Sequence, residues 1–274
     1  MVRPGTVAAT ALLAILALSG SAAGAEAQAT AQDGKGNAGS PAQASIPDFS
    51  GLWTKGRERI GAVKNLSPFL DRVMGDYNDP ILKPWAAAQV KLHADMEKAG
   101  TPPPEGRQTC WPSSVPNVLS QGGVYQILQT PQAVLFLYSN DREWRFARMN
   151  QDHPAHITPS WYGDSVAHYE GDTLVVDTIG IKTHPMSMVD KFGTPHTAAL
   201  HVIERYRRAD DGKKINVNLV VEDPGTFTHK WTVDITLTPS ATPPEEGECA
   251  ANNRVDMYGP SIGKMPEAKY RPPF

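Results

Sequence analysis

Alternation with a period of two dominates the second half of the chain. Ile215, Val217, Leu219 and Val221 fall on one side of a strand, against Asn216 and Asn218 on the other. Trp231, Val233, Ile235 and Leu237 repeat the pattern against Thr232, Asp234 and Thr236. Similar runs predict strands over 124–130, 133–139, 143–149, 165–170, 173–179, 199–208, 213–222 and 230–238. Turn signals separate them: Thr130-Pro131, Ser139-Asn140-Asp141, Glu170-Gly171-Asp172 and the 209–212 segment ending in Gly212. One segment has the helical period instead. Trp85, Ala88, Leu92 and Met96 recur at spacings of three and four, Pro84 can occupy an early helical position, and Gly100 stands past the end. His93 lies off that stripe and is predicted to be solvated or at a rim.

Many short strands joined by turns, with a single helix, predict a mainly β protein rather than alternating β and α units. The expected architecture is an antiparallel barrel or curled sheet with one amphipathic helix. Each strand has one dry side, so the interior is either a filled core or a pocket for an apolar ligand.

Composition narrows the class. The chain has 274 residues, 40% hydrophobic and 20% charged, with a formal net charge of −3, which suits one globular domain and gives nucleic acid no basic surface to bind. At the N-terminus, Arg3, the apolar run Val7–Leu18 and the small-x-small sites at 23–25 and 25–27 read as a signal peptide over 1–25. The apolar run is shorter than the roughly 20 residues that a membrane-spanning helix needs, so no transmembrane segment is expected after cleavage. A polar lead-in follows over 26–45, and a single domain over 46–274 ends in a Pro- and Tyr-containing tail, 255–274, expected to wrap the surface. The expected location is periplasmic or secreted. There, Cys110 and Cys249, the two cysteines of the chain, favour a disulfide.

The candidate chemistry lies between Asp152 and Arg205, which hold six of the eight histidines. No His-x-His, HExxH or paired-Cys spacing occurs, so neither a metal nor another cofactor is expected. Ser165, in Gly163-Asp-Ser-Val-Ala167, resembles a nucleophile elbow, but the residues after it alternate into a hairpin where the elbow requires a helix. General acid–base chemistry fits better. His156, His196 and His201 would move protons, Asp190 or Glu204 would orient them, and Trp161 would face the ligand. Parity sets a constraint on this group. Three residues apart on one strand, His201 and Glu204 point to opposite faces, with Glu204 on the more apolar one. A carboxylate there is costly unless paired, so a structural pairing of Glu204 with an arginine is the alternative to a catalytic role.

Several blocks resemble known patterns. Gly51-Leu-Trp53 at the first strand is similar to the opening motif of lipocalin-like barrels, which implies a tryptophan plugging one barrel end. IPDFSGLW, WYGDSVAHYEGDTLVVDTIG, FGTPHTAALHVIERYRR and CAANNR resemble a family of secreted bacterial proteins, across most of 46–254. That resemblance implies an exported β-rich barrel and carries no activity with it. The chain departs from the pattern at Ala167-His168-Tyr169, where Gly-x-Trp is usual, and at Thr197, where Ser is usual. The sequence thus leads to a cofactor-free exported enzyme acting on a small, partly apolar molecule as an isomerase, lyase or hydrolase. The alternative is a non-catalytic periplasmic protein that binds a small hydrophobic ligand.

Overall fold

The computed structural model describes residues 46–244, apart from 57, 59, 64–74, 102 and 104–109. The expected signal peptide, lead-in, Cys249 and C-terminal tail lie outside the described residues. Nine strands form a closed barrel in chain order: β1 (Gly51–Lys55), β2 (Val124–Gln129), β3 (Ala133–Tyr138), β4 (Glu143–Met149), β5 (Asp164–Glu170), β6 (Thr173–Ile179), β7 (His201–Ala209), β8 (Lys214–Glu222) and β9 (Trp231–Pro239). The fold is mainly β, with a single α-helix among the described residues, consistent with a lipocalin-like barrel.

Hairpin chemistry explains most neighbours. Gly171 and Gly212, both at positive φ, make the tight turns of β5–β6 and β7–β8. The inward faces are those the alternation predicts: Ile215, Val217, Leu219 and Val221 from β8, and Trp231, Ile235 and Leu237 from β9, all buried. Fully burying a side chain of this size stabilises by about 1.5–3 kcal/mol.

One pair departs from the antiparallel expectation. β4 and β5 run parallel, with Ala147 beside Ser165 and Met149 beside Ala167. A parallel pair needs a connection that travels back along the strands, and residues 150–163 do this along the outer wall. Gly180, at φ +68°, makes room for it, because a Cβ there would collide with Ile157. Ser160 fastens its far end by accepting from Lys182 N at 2.8 Å and donating from its own N to Gly180 O at 3.2 Å.

The helix α1 (Pro84–Lys98) begins and ends where Pro84 and Gly100 predict. Its buried face does not follow the predicted stripe. Ala86, Val90, His93 and Ala94 are buried, whereas Trp85 and Leu92 are exposed. Small side chains let the helix approach closely. His93, predicted to be solvated or at a rim, packs over Gly193, where a side chain would overlap its imidazole. Trp85 stays at the rim because its indole donates to Gly225 O at 2.8 Å, tying the helix start to the β8–β9 connection. This helix, the short 3-10 turn Asn117–Ser120 and the 180–200 connection gather at the end where β7 begins. At the opposite end Trp53 is buried, its indole donating to Phe49 O at 3.0 Å, with the Arg208 guanidinium 4.8 Å above its ring.

Candidate functional site

The barrel interior is the first place to look for a ligand, and a continuous cluster of buried side chains packs it. A buried ion pair crosses it. Arg145 of β4 donates from Nη1 and Nη2 to the two carboxylate oxygens of Glu204 on β7, at 2.5 and 2.9 Å. Both side chains are shielded from solvent, at 1% and 0% exposure. Tyr206 Oη donates to Glu204 Oε1 at 2.7 Å, and the guanidinium lies 4.7 Å from the Phe136 ring centre. Burial opposes the Arg145 charge, but Glu204 outweighs it and holds the guanidinium protonated, with its pKa raised. Burial, followed by the Glu204 charge, also pushes the Tyr206 hydroxyl well above its usual range. A space among Tyr125, Phe136, Tyr138 and Tyr206 has about the volume of one water molecule. Glu204 therefore sits in the arginine pairing, shielded from any substrate.

The other expected residues lie in separate surroundings. His156 is exposed on the outer connection. Asp190 is fully buried and organises a turn: Oδ1 accepts from Phe192 N at 2.9 Å and Thr194 N at 3.2 Å, and Oδ2 accepts from the Thr194 hydroxyl at 3.0 Å. Burial raises its pKa to about 6 against those hydrogen bonds. His196 is buried too, with Nε2 2.7 Å from Ser187 Oγ and Nδ1 2.9 Å from the Thr197 carbonyl. Since a carbonyl only accepts, Nδ1 carries the hydrogen and the Ser187 hydroxyl donates to Nε2. Burial lowers the pKa of His196. Ser165 faces inward, 2.9 Å from the Thr178 hydroxyl. These groups do not converge.

His201 does have company, on the outer wall. The outward positions of four adjacent strands place Arg148 (β4), Asp164 (β5), Asp177 (β6) and His201 (β7) in a row, and His153 from the 150–163 connection lies across it. Arg148 clasps Asp164 through two bonds, 2.7 Å to Oδ2 and 2.9 Å to Oδ1. His153 faces Asp164 Oδ1 with Nδ1 at 2.7 Å and Asp177 Oδ1 with Nε2 at 3.2 Å. The same Asp177 oxygen lies 2.9 Å from His201 Nε2. Glu222 pairs with His201 in the β7–β8 register and extends the row to a fifth strand.

The charges tune one another. The clasp of Arg148 holds the Asp164 carboxyl below its ordinary range. Burial would raise Asp177, but hydrogen bonds from His201 and His153 outweigh it and bring its pKa down. His201 is raised by its bond to Asp177, partly opposed by burial and helped by Glu222. No partner occupies His201 Nδ1 among the described residues. The dyad is partly open, with exposures of 33% for His201 and 30% for Asp177. A carboxylate holding one imidazole nitrogen while the other has no protein partner is the arrangement that lets histidine exchange a proton.

Sequence reasoning singled out His201 but passed over Asp177 and Arg148. Asp177 carried a usable signal. It is polar between Val176 and Thr178, hence outward, and the Glu170-Gly171-Asp172 turn places it one strand from Asp164. Among the described residues no group of three or more His, Cys, Asp or Glu side chains could hold a metal ion. No helix among them is long and apolar enough to cross a membrane.

Trp161, the expected ligand-facing residue, stands three positions before Asp164. Its ring lies 5.3 Å from that of Trp111 and 5.2 Å from that of His184. No family model, curated protein or solved structure matches the chain.

Proposed function

We propose that this protein is an exported, cofactor-free enzyme that moves a proton on a small, partly apolar molecule, with His201 as the acid–base group. The observation that carries the reading is the His201–Asp177 contact, which engages Nε2 and leaves Nδ1 without a partner among the described residues. In this reading Asp177 accepts from Nε2–H and fixes the tautomer, so the lone pair of Nδ1 is available to the substrate. When Nδ1 takes a proton, the imidazolium stays beside the Asp177 carboxylate, and the proton is returned from the same atom. His153 and Arg148 act as positioning residues by holding Asp177 and Asp164 in place. A single histidine that alternates between base and acid suits isomerisation or elimination; a hydrolase would also need a positioned water or nucleophile.

The test is turnover against a panel of enolisable ketones, lactones and small esters, run on the parent and on His201→Ala. Loss of a parent activity by about 100- to 10,000-fold supports general acid–base catalysis by His201. Equal turnover by the two proteins, or none by the parent across the panel, sinks it. Export and the Cys110–Cys249 bridge belong to the same proposal, supported by the N-terminal signal and the cysteine count. Mass analysis of protein recovered from the periplasm, before and after reduction, tests both.

A further inference from the structure

Three connections bring aromatic rings together at the barrel end where β7 begins. Trp111 precedes β2, Trp161 precedes β5 and His184 follows β6; their ring centres lie 5.1–5.3 Å apart in all three pairings. Lys182 stands over the Trp161 ring, its ammonium 5.7 Å from the centre. All four side chains are half-buried, so each keeps part of its surface open to solvent. Backbone bonds hold the group in place: Val115 N donates to Trp161 O at 3.3 Å, and Lys182 N to Ser160 O at 2.8 Å. Burial, and then the Lys182 charge, lower the His184 pKa.

Two features point to a ligand class. Rings held rigidly at a rim offer apolar surface at little cost in side-chain entropy. Lys182 has no carboxylate partner among the described residues, in contrast to Arg148, Arg145 and Lys214. An unbalanced cation above an aromatic surface matches a planar ring bearing an anionic group, with the ring against the indoles and the anion on the ammonium. The platform starts near the Asp164 end of the row that holds the dyad. Trp161 is three residues from Asp164, so their Cα atoms are at most about 11 Å apart.

We propose that Trp111, Trp161, His184 and Lys182 form the binding platform for the substrate of the His201 site, and that this substrate is an aromatic or similarly planar carboxylate. The proposal rests on the acid–base reading for its substrate role, but it concerns binding and is tested without turnover. The probes are benzoate and its uncharged counterpart, benzyl alcohol, followed through the indole N–H resonances of 15N-labelled protein. Benzoate should shift the Trp111 and Trp161 signals, assigned through Trp111→Phe and Trp161→Phe, and should bind about tenfold tighter than the alcohol, as expected of one partly exposed ion contact. Lys182→Gln, a change at a partly exposed side chain, should bring benzoate down to the affinity of benzyl alcohol. Equal affinities in the parent, an unchanged benzoate affinity in Lys182→Gln, or shifts at other tryptophans alone would overturn it. Benzoate binding that persists in His201→Ala, in a protein lacking turnover, supports the platform while leaving the acid–base reading to fail separately.

Discussion

Arg145 and Glu204 face each other across the inside of the barrel, joined by two hydrogen bonds and sealed from water. Removing one partner leaves the other charge buried. Arg145→Met should therefore cost about 3–5 kcal/mol in urea unfolding. The double variant Arg145→Met with Glu204→Leu removes both charges and should recover most of that loss. A double variant no more stable than Arg145→Met would show that the pair itself, rather than its charge balance, supports the interior.

Asp190 makes stability depend on pH in an unusual direction for a carboxylate. Its pKa in the folded protein is about 6 against an ordinary 3.8. Between these values the native state binds the extra proton, so the contribution is fully present below pH 3.8 and lost as pH rises through about 6. A shift of this size corresponds to about 3 kcal/mol. Asp190→Asn should flatten this part of the stability profile, measured by urea midpoints at pH 4 to 7. An unchanged slope would mean that other groups set it.

His201 and Asp177 titrate as partners. Removing the carboxylate with Asp177→Asn should lower the His201 pKa, read from its imidazole C–H shifts in NMR. The sign follows for function: the acid limb of a base-dependent pH–rate profile should move to lower pH. For stability, the His201 contribution is present below its ordinary 6.5 and lost as pH rises through its raised value. That of Asp177 is present above 3.8 and lost as pH falls through its lowered one. Both side chains are about a third exposed and screened by solvent, so the NMR titration is the decisive measurement. A His201 pKa unmoved by Asp177→Asn would separate the two residues.

Two glycines give a matched comparison. Gly171 and Gly193 both have positive φ, but a Cβ at Gly171 meets nothing while one at Gly193 would overlap His93. Gly171→Ala should cost about 1 kcal/mol, from backbone strain alone. Gly193→Ala should cost about 1–3 kcal/mol more, because His93 must move. Equal losses in thermal unfolding would mean that the His93 packing is loose.

Much of this molecule can be read from its residues, and the gaps have physical causes. Strand limits followed from alternation and turn residues, as in β8 and β9. Parity correctly set Glu204 inward and His201 outward. β4 reads differently: Trp144 and Phe146 point out at 58% and 43% exposure while Arg145 points in. Hydrophobicity alone favours the opposite register, and only the carboxylate of Glu204, 59 positions away, makes a buried arginine tolerable. The helix misled in the same manner, since Gly193 and Gly225 decide which of its faces fits. The His201 row stayed hidden because its members come from four strands and a connection, and no local spacing ties Arg148 to Asp177.

The parallel β4–β5 pair has a consequence of simple counting. Around a closed ring, strands that alternate up and down must be even in number, or the first and last will point the same way. This barrel has nine strands, yet β1 and β9 meet antiparallel. One parallel neighbour pair restores the parity, and because it falls between consecutive strands β4 and β5 rather than at the closure, the chain needs a returning segment on its wall. Here that segment is 150–163, and both His153 and Trp161 belong to it. An odd strand number with an antiparallel closure thus makes a surface excursion compulsory, and that excursion carries His153, the imidazole that shares the Asp177 carboxylate with His201.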